Sequence, residues 1–162
     1  IRGYRIDTGP TVLTMPDLFR DAFAADVVWF DGLVMNPDRS PQNPNMLVWH
    51  GRTWLLDHGA ALYVHHTWRD VDEHARRPFE RIKDHVLLPW AGSIEEADAR
   101  LAPLLDAAVV SEVVEQVPEV WLPRDPTIGG PSAQRRAYVR YLLRRLEAPR
   151  PFVEEAERGR AA

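Results

Sequence analysis

Residues 36–59 read NPDRSPQNPNMLVWHGRTWLLDHG, and this stretch decides how the middle of the chain folds. Its first ten residues include three asparagines, three prolines and one aspartate, a composition typical of a stiff polar loop. Two short apolar runs follow at residues 46–49 and 53–56, and Gly51 lies in the turn between them. Apolar runs joined by a glycine-bearing turn predict a β-hairpin. The hairpin would return Asp57 to the side of the polar loop.

Helical patterns flank this stretch on both sides. From Asp17 to Asn36, apolar residues recur every three or four positions and predict one amphipathic helix, ended by Pro37. Its expected inner face contains Phe19, Phe23, Val27, Phe30 and Val34. Further helices are predicted over residues 78–89, after a capping box at Ser93, and over residues 106–116, 132–147 and 152–160, the last of which we expect to fray. Residues 1–16 are predicted to be an extended segment, so the predicted class is mainly α with a small β-hairpin.

Composition excludes several kinds of site. The 162 residues contain no cysteine, which rules out disulfides and thiolate metal sites. The net charge of −4 gives no reason to expect nucleic acid as a partner. No apolar run reaches the roughly 18–20 residues of a membrane span and no signal peptide opens the chain, so we expect a cytoplasmic protein without a membrane partner. Because Ile1 is not an initiating residue, we also expect a fragment or a processed product.

The polar loop and the end of the hairpin together carry a chemical pattern. Asp38 and Asn43 are five positions apart, and Asp57 follows the hairpin in the order Asp-x-Gly. Phosphoryl transfer from ATP needs one carboxylate for the attacking hydroxyl, together with an amide oxygen and a second carboxylate for Mg²⁺. Protein kinases supply these groups as D-x-x-x-x-N, a hairpin and Asp-x-Gly. The ordered triplet therefore predicts ATP and Mg²⁺ as cofactors.

A family resemblance covers most of the chain. Residues from about 27 to 160 resemble the HipA-like kinases of bacteria, a family named after the toxin kinase of a toxin–antitoxin pair. The residues that carry it are Trp29 to Leu33, Asn36-Pro-Asp38-Arg39, Asn43-Pro-Asn45 with Leu47, Leu56 to Leu62, and His65-His66. The resemblance implies that residues 17–162 form a kinase-like C-terminal lobe (α+β). It also implies that Asp38 is the catalytic base and that Asn43 and Asp57 bind Mg²⁺.

The resemblance leaves the hydroxyl acceptor open. The spacing of Asp38, Arg39 and Asn43 is also similar to that of phosphoinositide 3- and 4-kinases, so protein, lipid and small-molecule hydroxyls are all candidates. Ser40 and Gln42 replace a histidine and a lysine of the toxin kinase loop. A kinase also needs a lobe with a strand lysine that precedes the catalytic loop. Lys83 comes after Asp57, so we expect this chain to be either the C-terminal lobe of a longer kinase, with an additional N-terminal lobe beyond this chain, or a remnant that binds nucleotide poorly.

A second resemblance is confined to the start of the chain. Residues 3–16, GYRIDTGPTVLTMP, resemble a segment of the phytoene desaturases, which are FAD enzymes. The sequence contains no G-x-G-x-x-G turn, so the resemblance does not imply FAD binding here. The origin of residues 1–16 stays open.

Other interpretations remain beside the kinase hypothesis. Asp38 and Asn43 could form a turn in which their side chains only cap backbone groups. Arg39 could bind the nucleotide phosphates or pair with a nearby acid, and His58 could only pack beside Asp57. The protein could be a non-catalytic pseudokinase or binding module, or a fragment of a flavin-dependent desaturase.

Two further clusters have competing interpretations. His58, His65 and His66 suggest a zinc site, although their spacing matches no common metal signature. Arg136, Arg140 and Arg144 lie four residues apart and predict either a solvated helix face or a surface for an anionic partner.

Overall fold

A computed structural model of the chain describes residues 4–5, 21–50, 52–66, 68–122 and 128–162. Helices α1 to α6 span Asp21–Val34, Val71–Ala75, Ile94–Leu101, Ala107–Glu115, Pro131–Leu146 and Pro151–Ala161. Strands β1 to β3 span Tyr4–Arg5, Met46–Trp49 and Arg52–Leu55. Short 3₁₀ turns lie at Tyr63–His66, Glu80–Asp84, Leu88–Trp90, Ala102–Leu104 and Glu119–Trp121. The prediction of a mainly helical chain with a small hairpin is confirmed.

The hairpin forms where the sequence predicted it. Strands β2 and β3 pair antiparallel, with Met46 opposite Leu55 and Trp49 opposite Arg52. β1 joins the other edge of β2, giving the strand order β1-β2-β3. Of the segment predicted to be extended, residues 1–16, only the two residues of β1 lie within the described part of the chain. Beyond β3, Leu56 N donates to Asn45 O at 2.8 Å, which holds the end of the hairpin against the polar loop.

Helix α1 lies in the centre of the core, between α3, α5 and α6. Its buried face differs from the predicted stripe, because Ala24, Ala25 and Val28 are fully buried whereas Phe30 is 38% exposed. Small side chains let the neighbouring helices approach closely. A Cβ added at Gly32 would lie 2.9 Å from a ring carbon of Phe152 on α6. Phe19, at the start of the predicted stripe, lies outside the described residues.

Two sets of hydrogen bonds cap the carboxyl end of α1. Met35 adopts a left-handed conformation with φ of 53°, and Asn36 N donates back to Asp31 O at 2.9 Å, as in a Schellman motif. The buried guanidinium of Arg145 then donates to the carbonyls of Gly32 and Leu33, both at 2.7 Å. Arg145 also donates to the carbonyl of Ala75 at 3.1 Å and lies over the Phe152 ring at 4.9 Å. One side chain therefore caps the ends of both α1 and α2.

The predicted cap of α3 is present, because Ser93 accepts from Glu96 N at 3.1 Å. The helix predicted over residues 106–116 is α4, and Asp106 caps it by accepting from Val109 N at 2.8 Å. The last helix is packed rather than frayed. Phe152 and Ala156 are each 1% exposed. Glu157 on α6 accepts from Ile94 N at 2.6 Å, which adds an anchor at the start of α3.

The predicted helix over residues 78–89 is wrong. Two 3₁₀ turns, Glu80–Asp84 and Leu88–Trp90, flank an extended residue, His85, whose ψ is 131°. Pro89 lies inside the second turn, and Val86 N donates at 2.9 Å to the carbonyl of Arg39 in the polar loop instead of to a helical partner. Tertiary contact therefore replaces the helix here. No helix in the described parts of the chain is long and apolar enough to cross a membrane.

Candidate active site

The polar loop holds Asp38 and Asn43 in direct contact. Asn43 Nδ2 donates to Asp38 Oδ1 at 2.9 Å. Asn45 Nδ2 donates to Asp38 Oδ2 at 3.1 Å and to the Asp38 carbonyl at 2.8 Å. Asn36 Oδ1 accepts from Asp38 N at 3.2 Å. The loop thus places both carboxylate oxygens of Asp38 against amide donors, one from Asn43 and one from Asn45, while Asp38 stays half-buried. The orientation of this carboxylate is therefore set by its loop.

Arg39 connects the loop to three other segments. Its Nε donates to Asp31 Oδ2 at 2.6 Å, its Nη1 to Asn45 O at 2.5 Å, and its Nη2 contacts His58 Nε2 at 2.9 Å. Arg39 is 1% exposed, and the side chains of its ion pair with Asp31 are both fully buried. Of the two roles that the sequence left open for Arg39, the structure displays the pair with an acid. All three guanidinium nitrogens of Arg39 contact protein groups.

Asp31 is the buried partner that makes this arrangement possible. Besides Arg39, it accepts from Asn36 Nδ2 at 3.0 Å and from His85 Nε2 at 2.9 Å. His85 Nδ1 accepts from Leu87 N at 3.0 Å, so the ring is neutral and carries its proton on Nε2. Burial alone would raise the pKa of Asp31, but the hydrogen bonds from His85 and Arg39 outweigh it and the pKa is lowered. Burial lowers the pKa of His85, in keeping with a neutral ring.

Asp57 lies just beyond β3 in a left-handed conformation with φ of 49°. Its side chain is exposed, and Oδ1 accepts a long contact from Gly59 N at 3.4 Å. The neighbouring His58 accepts the hydrogen bond from Arg39 and packs edge-on against Phe30, with ring centroids 5.8 Å apart. A ring that accepts at Nε2 is neutral, and burial and the nearby Arg39 charge both lower the pKa of His58. His58 thereby ties the segment of Asp57 to the loop of Asp38.

The donor set suits a hard cation better than zinc. Asn43 carries a side-chain amide, whose Nδ2 donates to Asp38, and Asp57 contributes an exposed carboxylate, so both residues contain hard oxygen atoms. Mg²⁺ binds such oxygens and takes its remaining ligands from phosphates and water. Among the described residues, no three His, Cys, Asp or Glu side chains are grouped to hold a metal ion. His65 and His66 instead stack on each other, with centroids 4.2 Å apart.

Sequence reasoning missed Asp31 and His85 as parts of the site. Asp31 was noted only as a member of the family-like run Trp29 to Leu33, and no role was assigned to it. Its signal was present, because Asp31 is the one carboxylate in the otherwise apolar run of residues 27–34, VVWFDGLV. A buried carboxylate needs a cationic or hydrogen-bonding partner, and Arg39 is eight residues away. His85 gave no comparable signal.

Comparison with known proteins gives one short match. A 23-residue stretch is 87% identical to a phytoene dehydrogenase of Streptomyces griseus and covers 14% of this chain. The chain spans only 4% of the length of that curated relative. No protein-family model and no solved structure matches. The likeness of a short segment to phytoene desaturases is therefore found, whereas the resemblance to HipA-like kinases stays a prediction.

The arginine stripe lies on α5, where it lines a groove between α5 and α4. The groove has a volume of about 550 Å³, and its walls include Arg135, Arg136, Arg140 and Arg144 together with Asp72, Glu115 and Glu147. Arg140 pairs with Asp72, Arg144 with Glu147, and Arg135 with Glu115. Most of the positive charge on this face is thus balanced by acids of the same chain.

Proposed function

We propose that this chain carries the catalytic loop and the metal-binding segment of an ATP- and Mg²⁺-dependent phosphotransferase of the HipA-like type. It would transfer the γ-phosphoryl group of ATP to a hydroxyl acceptor. The observation that supports the proposal is the contact between Asp38 and Asn43 at 2.9 Å, in a loop joined through Arg39 and His58 to the segment of Asp57. The phytoene dehydrogenase match gives no reason to prefer flavin chemistry, because it covers 14% of the chain and the sequence has no dinucleotide-binding turn.

Asp38 is the proposed catalytic base. Its carboxylate would accept the proton of the acceptor hydroxyl while the hydroxyl oxygen forms a bond to the γ-phosphorus and the bond from that phosphorus to the β,γ-bridging oxygen breaks. ADP is the leaving group and the phosphorylated acceptor is the product. The two amide donors on Asp38 suit this role, since they fix the direction of the carboxylate before the acceptor arrives.

Asn43 and Asp57 are the proposed Mg²⁺ ligands. Both offer hard oxygen atoms, and two protein ligands are sufficient for an ion that keeps several waters and phosphate oxygens. When bound, the ion would neutralise charge on the phosphates during transfer. In this proposal Arg39 contacts neither metal nor nucleotide, because its guanidinium is occupied by Asp31, Asn45 and His58.

The test is Mg²⁺-dependent ATP binding by the full-length protein, which includes the expected N-terminal lobe, followed by phosphoryl transfer with autophosphorylation as the first acceptor assay. We expect Asp38→Asn to keep nucleotide binding and to lower the transfer rate by about 10²- to 10⁴-fold, because the general base is lost. Asp57→Asn should weaken Mg²⁺-dependent binding itself. Glu112→Gln removes an exposed acid on α4 and is the matched control.

The outcomes separate the proposed function from its alternatives. Absence of Mg²⁺-dependent ATP binding in the wild type, or equal transfer rates in Asp38→Asn and wild type, would overturn the proposal. Binding that depends on Asp57 but is never followed by transfer would instead favour the pseudokinase or binding module.

A further inference from the structure

We infer that His58 is a positioning residue, which sets the place of Asp57 relative to the Asp38–Asn43 loop through its hydrogen bond with Arg39. The inference rests on the proposed function in taking Asp57 as a Mg²⁺ ligand. The contacts from which it is argued are all between protein groups. In this role His58 does not touch substrate. It acts by holding Asp57 in place, which is more than filling space in the packing.

One planar guanidinium is shared among three segments. Its Nε is fixed by Asp31 on α1 and its Nη1 by the Asn45 carbonyl just before β2. A guanidinium cannot bend, so these two bonds determine the direction in which Nη2 points. His58 Nε2 meets that direction at 2.9 Å. The imidazole is therefore located by groups that belong to the helix and the loop.

Asp57 needs such a tie because its own contacts are weak. The segment is fixed before it by Leu56 N on Asn45 O at 2.8 Å, and after it by Leu62 N on Val34 O at 2.7 Å. Between these anchors, Asp57 is exposed and its carboxylate contact to Gly59 N is 3.4 Å long. The contacts of His58 with Arg39 and Phe30 hold the middle of this segment.

The loop side does not depend on His58. The contacts of Asn43 and Asn45 with Asp38 are made within residues 38–45. Loss of the His58 acceptor should therefore free Asp57 while leaving Asp38 and Asn43 in place. This separation distinguishes positioning from a general loss of structure.

The first arm of the experiment uses no ligand. Hydrogen exchange of residues 57–61 is compared among wild type, His58→Ala and His58→Gln, since a glutamine side chain can place an acceptor oxygen where Nε2 lies. We expect exchange to be about tenfold faster in His58→Ala, because a hydrogen bond from a charged donor is lost. In His58→Gln we expect exchange to be faster by about twofold or less. Exchange over residues 38–45 should not change. His66→Ala, an exposed histidine that stacks on Tyr63, is the control.

The second arm titrates Mg²⁺ at fixed ATP. We expect His58→Ala to weaken the apparent Mg²⁺ affinity about tenfold and His58→Gln to restore it. If His58→Ala matches wild type in exchange and in Mg²⁺ affinity, the inference is overturned while the proposed function stands. If the wild type binds no Mg²⁺·ATP, the proposed function is overturned, and the exchange arm alone still decides whether His58 holds the segment.

Discussion

Two regions of this protein pair arginine with carboxylate in opposite surroundings. Around the polar loop, Arg39 and Asp31 meet with both side chains 0% exposed. On the α5 face, Arg140 and Asp72 are 66% and 48% exposed, and Arg144 and Glu147 are 40% and 55% exposed. All three are pairs of arginine with a carboxylate, but the buried pair is closed off from water and has further hydrogen-bond partners in His85, Asn45 and His58.

This difference decides what each pair does. Water and salt screen the α5 pairs, so each stabilises the fold by at most about 1 kcal/mol. The buried pair has lost its hydration, so removing either partner leaves an uncompensated charge in the core. The loop pair is therefore structural, whereas the α5 face consists of interchangeable surface charges.

The largest effect on stability is expected for Asp31→Asn, which removes the charge that balances Arg39. The substitution keeps the shape but leaves Arg39 charged and unpaired in the core, and we expect a loss of about 3–5 kcal/mol in the free energy of unfolding. Urea denaturation at pH 7.5 measures it, with Asp72→Asn as the exposed match. A loss below about 1 kcal/mol would show that the buried pair behaves like a surface pair.

The substitution Arg39→Lys keeps the positive charge but removes the planar, multidentate geometry of the guanidinium. Lysine keeps the ion pair with Asp31 but cannot reach Asn45 O and His58 at the same time, so we expect a loss of about 2 kcal/mol. Arg140→Lys on α5 is the control and should unfold as the wild type does. Equal stability of both lysine variants would mean that the guanidinium fork is unimportant.

The dependence of stability on pH follows from the neutral His85. Its pKa is lowered from 6.5 in the folded chain, so the unfolded chain takes up a proton more readily. The contribution of the neutral His85 to the free energy of unfolding is therefore fully present above pH 6.5. It falls as the pH drops below that value, by up to about 1.4 kcal/mol at pH 5.5.

Measurements of the free energy of unfolding between pH 8 and 5 check this dependence. In His85→Gln, the decrease of that free energy with falling pH should be smaller than in the wild type. His58, His65 and His74 have lowered pKa values too, chiefly through burial, and act in the same direction. The lowered pKa of Asp31 adds a separate loss only when the pH falls below 3.8. A stability that rises on acidification from pH 7 to 5.5 would contradict a neutral His85.

The smallest expected effect is that of Asp72→Ala. Removing the partner of Arg140 should cost less than about 1 kcal/mol, and the difference from wild type should vanish in 1 M NaCl. The same salt should leave the cost of Asp31→Asn nearly unchanged. A large effect of Asp72→Ala that persists in high salt would place the α5 groove among the structural parts of the molecule.

Local signals in the sequence predicted the elements whose energetics are local. The hairpin, the Ser93 cap and the start of α4 each depend on groups within a few residues, and all three are present. The close approach of Asp38 and Asn43 also arises within one loop. These features could be read from short windows of sequence.

Features that depend on distant partners could not be read in this way. The helix predicted over residues 78–89 is lost because Val86 N bonds the carbonyl of Arg39, and His85 serves an acid 54 residues away. The inner face of α1 differs from the predicted one because Ala24, Ala25, Val28 and Trp29, and not Phe30, meet the neighbouring helices. No pattern within α1 identifies which chain segments will cover it.

The double cap made by Arg145 also bears on how the chain is completed during synthesis. The carbonyl of Gly32 receives its donor from a residue made 113 positions later. At translation rates of roughly 5–20 residues per second, that donor arrives about 6 to 23 seconds after Gly32 is joined. During that interval the carbonyls of Gly32 and Leu33 lack their guanidinium donor, and the local bonds from Met35 N and Asn36 N close the end of the helix that carries Asp31. The loop that depends on this helix therefore reaches its final form only after α5 has been made.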